Sequence, residues 1–152
     1  MQFPIATGKN LLRQTITVPA ELEGPYKIVF VAFQRWHQSL IDSWLPAIAQ
    51  LERKYPTLRH YELPVLPGMN VISRTFINEG MRAGIPDPVA RATTITLYVD
   101  KVAFLQSLGL SDDNNIHVML LDQNGRILWH ATGGFSPETA QSLEKSMQKL
   151  AV

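Results

Sequence analysis

The stretch that decides the fold is residues 26–55, YKIVFVAFQRWHQSLIDSWLPAIAQLERKY. Residues 26–33 form the strongest apolar run of the chain, interrupted by Lys27, and the β-branched content of this run predicts a strand that is buried on both faces. From about residue 39, apolar residues recur at three- and four-residue spacing, which predicts an amphipathic helix. These residues are Leu40, Trp44, Ile48 and Leu51. Pro46 lies inside this pattern and is expected to kink the helix.

The rest of the chain predicts further strands and helices that end in a hairpin and a helix. Strands are expected at residues 15–18, 58–63, 93–99, 116–121 and 126–132, and helices at 68–83, at 101–108 and from 137 onward. Residues 122–125, DQNG, supply the hairpin turn, and Ser136 is expected to cap the last helix. We therefore predict a single α/β domain over residues 1–152. Its central mixed β-sheet is flanked by helices and carries an extra N-terminal strand.

Composition excludes several classes of function. The 152 residues are 45% hydrophobic and carry a formal net charge of +1, which gives no basic bias toward nucleic acid or an anionic membrane. The absence of cysteine excludes thiol–disulfide chemistry, iron–sulfur clusters and the usual structural zinc sites. No apolar stretch approaches the roughly 18 residues of a membrane span, so we expect no direct membrane insertion. A cytoplasmic protein is the default expectation, with an organellar or periplasmic setting if a targeting segment has been removed.

Residues 29–51 resemble the first catalytic strand and helix of thioredoxin-like proteins. In that superfamily an apolar strand leads into Trp-Cys-x-x-Cys, and the following helix carries a proline five residues after the second cysteine. Here the strand VFVAF, the loop QRWH and Pro46 fit this pattern. Aligned without gaps, the two cysteine positions fall on Gln38 and Ile41. The resemblance therefore implies that the nucleophile and resolving positions hold side chains that cannot exchange a disulfide.

The second landmark of the superfamily, a cis-proline before the hairpin, is also replaced. Ile116 stands where that proline would be. A non-proline cis bond costs about 2.5–4 kcal/mol, so a trans peptide is expected there. Loss of both redox landmarks from a retained scaffold pattern indicates a repurposed fold.

Within the superfamily, residues 25–148 resemble the mitochondrial ATP synthase assembly factor family known as "ten". The resemblance rests on the hairpin LLDQNGRILWHATGG at 120–134, its approach LGLSDDNNIHVMLLD at 108–122, and the stretch 77–87 that ends in GIPD. It implies a non-enzymatic assembly chaperone without a cofactor. The implied partners are proteins, such as the ATP synthase subunits of a membrane complex.

The residues most expected to bind a partner lie at the former active-site edge. Trp36, His37 and Gln38 form the loop where the superfamily does its work, with Trp36 as an aromatic anchor and Arg35 as a charged contact. Ile116 and His117 lie on the neighbouring loop in the geometry that the resemblance implies. The alternative is a solvent-exposed loop in which Trp36 only caps the sheet.

Two other functions are kept open. The four histidines, His37, His60, His117 and His130, have no recognised ligand spacing, so no metal site is expected. His37 and His117 could nevertheless approach one another, because the family geometry places their loops side by side. A pocket between His37 and His117 would suit an enzyme or small-molecule binder descended from a peroxiredoxin- or transferase-like protein. The main hypothesis, a binding or assembly factor, assigns no catalytic residues. A homodimer that serves as a structural module is the third possibility.

Overall fold

The computed structural model describes residues 1–66, 87–111 and 113–150. Its helices and strands follow the order strand–strand–strand–helix–strand–helix–strand–helix–strand–strand–helix. They are β1 (Ala6–Asn10), β2 (Thr15–Val18), β3 (Tyr26–Ala32), α1 (His37–Lys54), β4 (Leu58–Leu66), α2 (Pro88–Thr93), β5 (Ile95–Tyr98), α3 (Lys101–Ser107), β6 (His117–Leu121), β7 (Ile127–Thr132) and α4 (Pro137–Leu150). The helix predicted at residues 68–83 lies outside the described residues.

One mixed seven-stranded sheet has the strand order β2-β1-β5-β4-β3-β6-β7. Strand β3 pairs in parallel with β4, and β4 pairs in parallel with β5. The pairs β3–β6, β6–β7, β1–β5 and β1–β2 are antiparallel. The predicted α/β class with a mixed sheet and a C-terminal hairpin is confirmed.

The central position of β3 explains its apolar run. Ile28 and Phe30 face a core that also contains α1 and α4, whereas Val29 and Val31 face a second core that contains α3. All four side chains are fully buried. A strand covered on both faces has no solvent side, which is why the sequence shows a continuous run without polar alternation.

Helix α1 presents a buried stripe to the first of these cores. Ile41, Trp44, Ile48 and Leu51 are its buried apolar residues, while Leu40, which we predicted at the start of the stripe, is only partly buried. The stripe therefore begins one position later than the periodicity suggested. This shift places Ile41 under the first turn of the helix.

The N-terminal segment adds two strands to the sheet where the sequence predicted one. Strand β1 lies between β2 and β5, and Gly8 pairs with Leu97 and Ile16. The first residues of the chain are hydrogen-bonded to the hairpin formed by β6 and β7. The Phe3 N–H donates to the Gly125 carbonyl at 2.9 Å, and the Ile127 N–H donates to the Met1 carbonyl at 2.8 Å. These contacts lie beside the β6–β7 turn, at the opposite end of β3 from the loop that leads into α1.

The remaining boundaries differ slightly from the predictions. Strand β4 continues to Leu66, and the expected strand at residues 93–99 is shortened because Thr93 ends the unpredicted helix α2. The predicted cap of α4 is confirmed, since the Thr139 N–H donates to Ser136 Oγ at 3.1 Å.

Candidate functional site

The site is built where β3 ends and α1 begins. Residues 34–38, here called the α1 N-terminal loop, link the strand to the first helical turn. The carbonyl groups of Gln34, Arg35 and Trp36 accept the N–H groups of residues 37, 38 and 39. The first turn of α1 is thus closed by backbone hydrogen bonds between residues three apart. Trp36 is the N-cap residue, and its side chain makes no capping hydrogen bond to the first turn of the helix.

His37 is buried beneath this loop, with 0% of its surface exposed. Its Nδ1 accepts hydrogen bonds from the backbone N–H of Phe33 at 3.0 Å and of Gln34 at 3.3 Å. A ring nitrogen that accepts carries no proton, so the neutral ring is protonated at Nε2. Within the described part of the chain Nε2 is buried and has no hydrogen-bond partner. Such an unsatisfied donor costs about 1–3 kcal/mol, and native structures contain few of them.

Trp36 covers His37 and reaches solvent. Its ring centroid lies 4.4 Å from that of His37 in an edge-on arrangement, and 53% of the residue is exposed. Its indole N–H donates to Gln34 Oε1 at 3.2 Å, in an exposed hydrogen bond. The neighbouring Arg35 is also exposed. The loop therefore presents an aromatic ring beside a cationic side chain.

Gln38 connects the first turn of α1 to strand β4. Its Nε2 donates to Asp42 Oδ1 and to Glu62 Oε1, each at 3.0 Å. Burial raises the pKa of Glu62, while the hydrogen bond from Gln38 acts in the opposite direction. Ile41, the other position aligned with a redox cysteine, is 1% exposed in the core below. An exposed amide followed three residues later by a buried aliphatic side chain leaves no thiol chemistry at this turn.

The predicted residues of the neighbouring loop are buried. Ile116 is fully buried, and its carbonyl accepts the Gly133 N–H at 2.9 Å. Within the described backbone the cis peptide is Val18–Pro19, so the bond before Ile116 is trans, as expected. His117 is 2% exposed and lies at the start of β6.

His117 forms a pair with His130 on β7. The distance between His117 Nδ1 and His130 Nε2 is 3.2 Å, and Thr132 Oγ1 lies 3.4 Å from the same Nδ1. Partial burial, and then the charge of His117, lower the pKa of His130. The Phe33 ring contacts the rings of both His37 and His117, with centroid distances of 6.5 and 5.9 Å. The two predicted histidines thus share an aromatic neighbour.

The described residues contain no group of three or more histidine, aspartate or glutamate side chains that could hold a metal ion. Nor does any helix of the described part have the length and apolar character needed to cross a membrane.

Sequence reasoning missed two members of this region. We predicted Glu62 only as part of a strand. Because this strand pairs with the central strand β3, an acidic residue on it indicates a buried polar contact. His130 was considered only as a metal ligand. Its pairing with His117 follows from the β6–β7 register, in which His117 lies opposite Thr132 and Met119 opposite His130.

Comparison with solved structures shows the fold. A thiol:disulfide interchange protein from Bacteroides sp. is 16% identical and has a TM-score of 0.61, with 95% of this chain and 86% of that chain covered. The exposed lipoprotein thioredoxin of Streptococcus pneumoniae is 11% identical, with a TM-score of 0.58 and coverage of 93% and 99%. The thioredoxin domain of a Bacteroides vulgatus thiol-disulfide oxidoreductase is 14% identical, with a TM-score of 0.54 and coverage of 95% and 94%. Among curated proteins no match was found.

The fold and the sequence together define a thioredoxin-like protein that contains no cysteine. The model of the ATP10 protein family matches residues 1–150, and the chain belongs to that family.

Proposed function

We propose that this protein is a non-redox assembly factor for ATP synthase that binds a protein partner through the α1 N-terminal loop. Membership of the ATP10 family supports the assembly role and the choice of partner, a subunit of the synthase or an assembly intermediate. It also favours an organellar, mitochondrial setting over the cytoplasmic one. The proposal takes residues 1–152 as one functional domain.

The observation that carries the binding mode is the exposure of Trp36. More than half of the surface of this large aromatic residue is exposed to solvent, and its ring contacts the buried imidazole of His37. Tryptophan is enriched among the few residues that dominate binding energy at protein interfaces, because one rigid ring buries a large apolar area. Arg35 beside it adds a residue type that is also enriched there.

The former nucleophile position supports binding without chemistry. Gln38 is occupied by hydrogen bonds to Asp42 and Glu62, and no cysteine exists in the chain to attack a partner. A thioredoxin-like scaffold of this composition is therefore suited to recognising a partner at this edge and unsuited to oxidising or reducing it.

The test compares Trp36→Ala with wild type in the native cell. Each full-length tagged protein is cross-linked in cells and purified, and the captured proteins are quantified by mass spectrometry. Wild type is expected to capture ATP synthase subunits, and Trp36→Ala to reduce that capture about tenfold or more, as loss of a central aromatic anchor does. Trp36→Phe should recover part of the capture.

Ile5→Ala is the matched control. Ile5 is 84% exposed. It lies near the first residues of the chain, which are hydrogen-bonded beside the β6–β7 turn, at the end of the sheet opposite to the α1 N-terminal loop. Its truncation is expected to leave capture unchanged. Equal capture by wild type and Trp36→Ala would contradict the binding mode, and the absence of synthase subunits from every sample would contradict the assembly role.

A further inference from the structure

The α1 N-terminal loop holds a buried donor that the described part of the molecule leaves unused. Backbone N–H groups occupy Nδ1 of His37, so Nε2 carries the proton. Within that described part Nε2 is buried and has no acceptor. A buried N–H without an acceptor is uncommon in native proteins, and a ligand that supplies the acceptor would satisfy it.

The electrostatic environment of this donor favours a negative group. His37 is the first residue of an 18-residue helix, whose N-terminal end carries a partial positive charge. The first turn, residues 37–40, contains no acidic residue to offset that charge. Arg35, which is exposed, precedes it by two positions, and no ion pair to Arg35 is present among the described residues.

The acidic side chains around the loop already have partners. Asp42 and Glu62 both accept hydrogen bonds from Gln38. Asp113 forms an ion pair with Lys101 at 2.6 Å, and this contact lowers the pKa of Asp113. Within the loop itself, Arg35 contributes an exposed cationic side chain.

We infer that His37 and Arg35 bind a carboxylate from an acidic segment of the partner protein, with Trp36 moving aside to admit it. The inference rests on the proposed function and names the chemistry that the loop recognises. One carboxylate oxygen accepts the Nε2–H of His37, and the other accepts from the guanidinium of Arg35. Charge-assisted hydrogen bonds of this kind are among the stronger ones in proteins. Displacing the Trp36 side chain breaks the exposed hydrogen bond from its indole N–H to Gln34 and its ring contact with His37.

The probe is the peptide N-acetyl-tetraglutamate amide, with N-acetyl-tetraglutamine amide as its uncharged counterpart. Each is titrated into the ¹⁵N-labelled full chain, and the imidazole Nε2–H signal of His37 is followed by NMR. The glutamate peptide is expected to shift this signal and to slow its exchange with water, whereas the glutamine peptide leaves it unchanged. Arg35→Gln should weaken the binding of the glutamate peptide at least fivefold.

Arg53→Gln is the matched control, because Arg53 is an exposed arginine in the last turn of the same helix. It should leave the affinity for the glutamate peptide unchanged. His37→Phe removes the Nε2–H donor and should abolish binding of the glutamate peptide. If this variant does not fold because the contacts of His37 to the loop backbone are lost, the comparison of Arg35→Gln with Arg53→Gln tests the inference. Equal responses to the two peptides, or equal affinities in the two arginine variants, would overturn the inference.

The two proposals fail in different ways. Capture of synthase subunits through Trp36, together with an unchanged His37 signal, would overturn the carboxylate site and leave the proposed function standing. A His37 signal that responds to the glutamate peptide alone, without capture of synthase subunits, would support the site and contradict the proposed function.

Discussion

The side-chain amide of Gln38 donates a hydrogen bond to the buried carboxylate of Glu62, with 3.0 Å between Nε2 and Oε1. This contact joins the first turn of α1 to β4, the strand that follows the helix in the chain. It occupies the position that the resemblance to thioredoxin-like proteins assigns to the reactive thiol. A structural amide–carboxylate contact therefore stands where a redox nucleophile would be expected.

Restoring cysteines at positions 38 and 41 tests that alignment. The double variant Gln38→Cys with Ile41→Cys is expected to form an intramolecular disulfide under mild oxidation, because residues three apart on a helix lie side by side. Intact-mass measurement should show the loss of two hydrogens, and thiol titration should find no free thiol. A control that pairs Gln38→Cys with Ala49→Cys separates the sulfurs by roughly 16 Å along the helix and should stay reduced. Two free thiols in the 38/41 variant would contradict the alignment.

Glu62→Gln is expected to raise stability at neutral pH. Burial raises the pKa of Glu62 above its ordinary value, so the folded state disfavours the ionised form. The free energy of unfolding therefore decreases as the pH rises from the pKa of Glu62 in the unfolded state through its higher pKa in the folded state. Glutamine keeps an acceptor oxygen for Gln38 and carries no charge, so the gain at pH 7 should be on the order of 1 kcal/mol.

Urea unfolding at pH 4 and at pH 7 measures this gain, which should be larger at pH 7. Glu23→Gln, at an exposed position, serves as the control and should show little change at either pH. A Glu62→Gln protein that is less stable than wild type at pH 7 would show that the charge contributes to folding.

The His117–His130 pair is expected to make stability depend on pH. Partial burial, followed by the charge of His117, lowers the pKa of His130 below 6.5. The folded state therefore favours neutral His130, and its contribution is present above about pH 6.5 and is lost as the pH falls through the folded pKa. Wild type should lose more stability between pH 7 and pH 5 than His130→Gln does. The difference should be below about 1 kcal/mol because the His130 side chain is partly exposed to solvent. Parallel pH profiles of the two proteins would refute it.

Gly8→Ala should weaken the attachment of the N-terminal strands. A Cβ atom at Gly8 would lie 2.1 Å from the carbonyl oxygen of Thr96 on the paired strand β5. The backbones must separate to relieve this contact, which should cost about 1–3 kcal/mol. Hydrogen exchange of the β1 amides should accelerate more than that of β3. Thr7→Ala, the exposed neighbour on β1, should leave the exchange rates nearly unchanged.

The sequence predicted the elements whose own residues determine them. The β3 run and the α1 stripe each have a distinct apolar pattern, and the hairpin has a turn motif that needs no distant partner. Strand β1, ATGKN, was missed because Thr7 is its one strand former and the other four residues are of types depleted in strands. Its extended conformation is set by pairing with β2 and β5, including the close approach at Gly8.

The position of the α1 N-terminal loop was predictable from the sequence, and its contacts were not. The loop around Trp36 was singled out because it connects a clearly predicted strand and helix at the place where the resemblance to thioredoxin-like proteins puts their active site. The unused Nε2–H of His37 depends on backbone groups of residues 33 and 34 that fold back onto the ring. The partner of His117 depends on strand register, which is shifted by an irregularity at Leu120 and Leu121. Such information is carried by tertiary geometry and not by local sequence pattern.

For the complex that we propose at this edge, the absence of sulfur at positions 38 and 41 also determines how the two proteins would separate. A thioredoxin-type mixed disulfide ends by chemical exchange, at a rate set by thiolate fraction and by the redox poise of the compartment. With glutamine and isoleucine at these positions no covalent bond joins the two proteins, so the lifetime of the complex equals its non-covalent dissociation time. Residence on the partner is then independent of glutathione and oxygen levels and is controlled by what competes for the same surface.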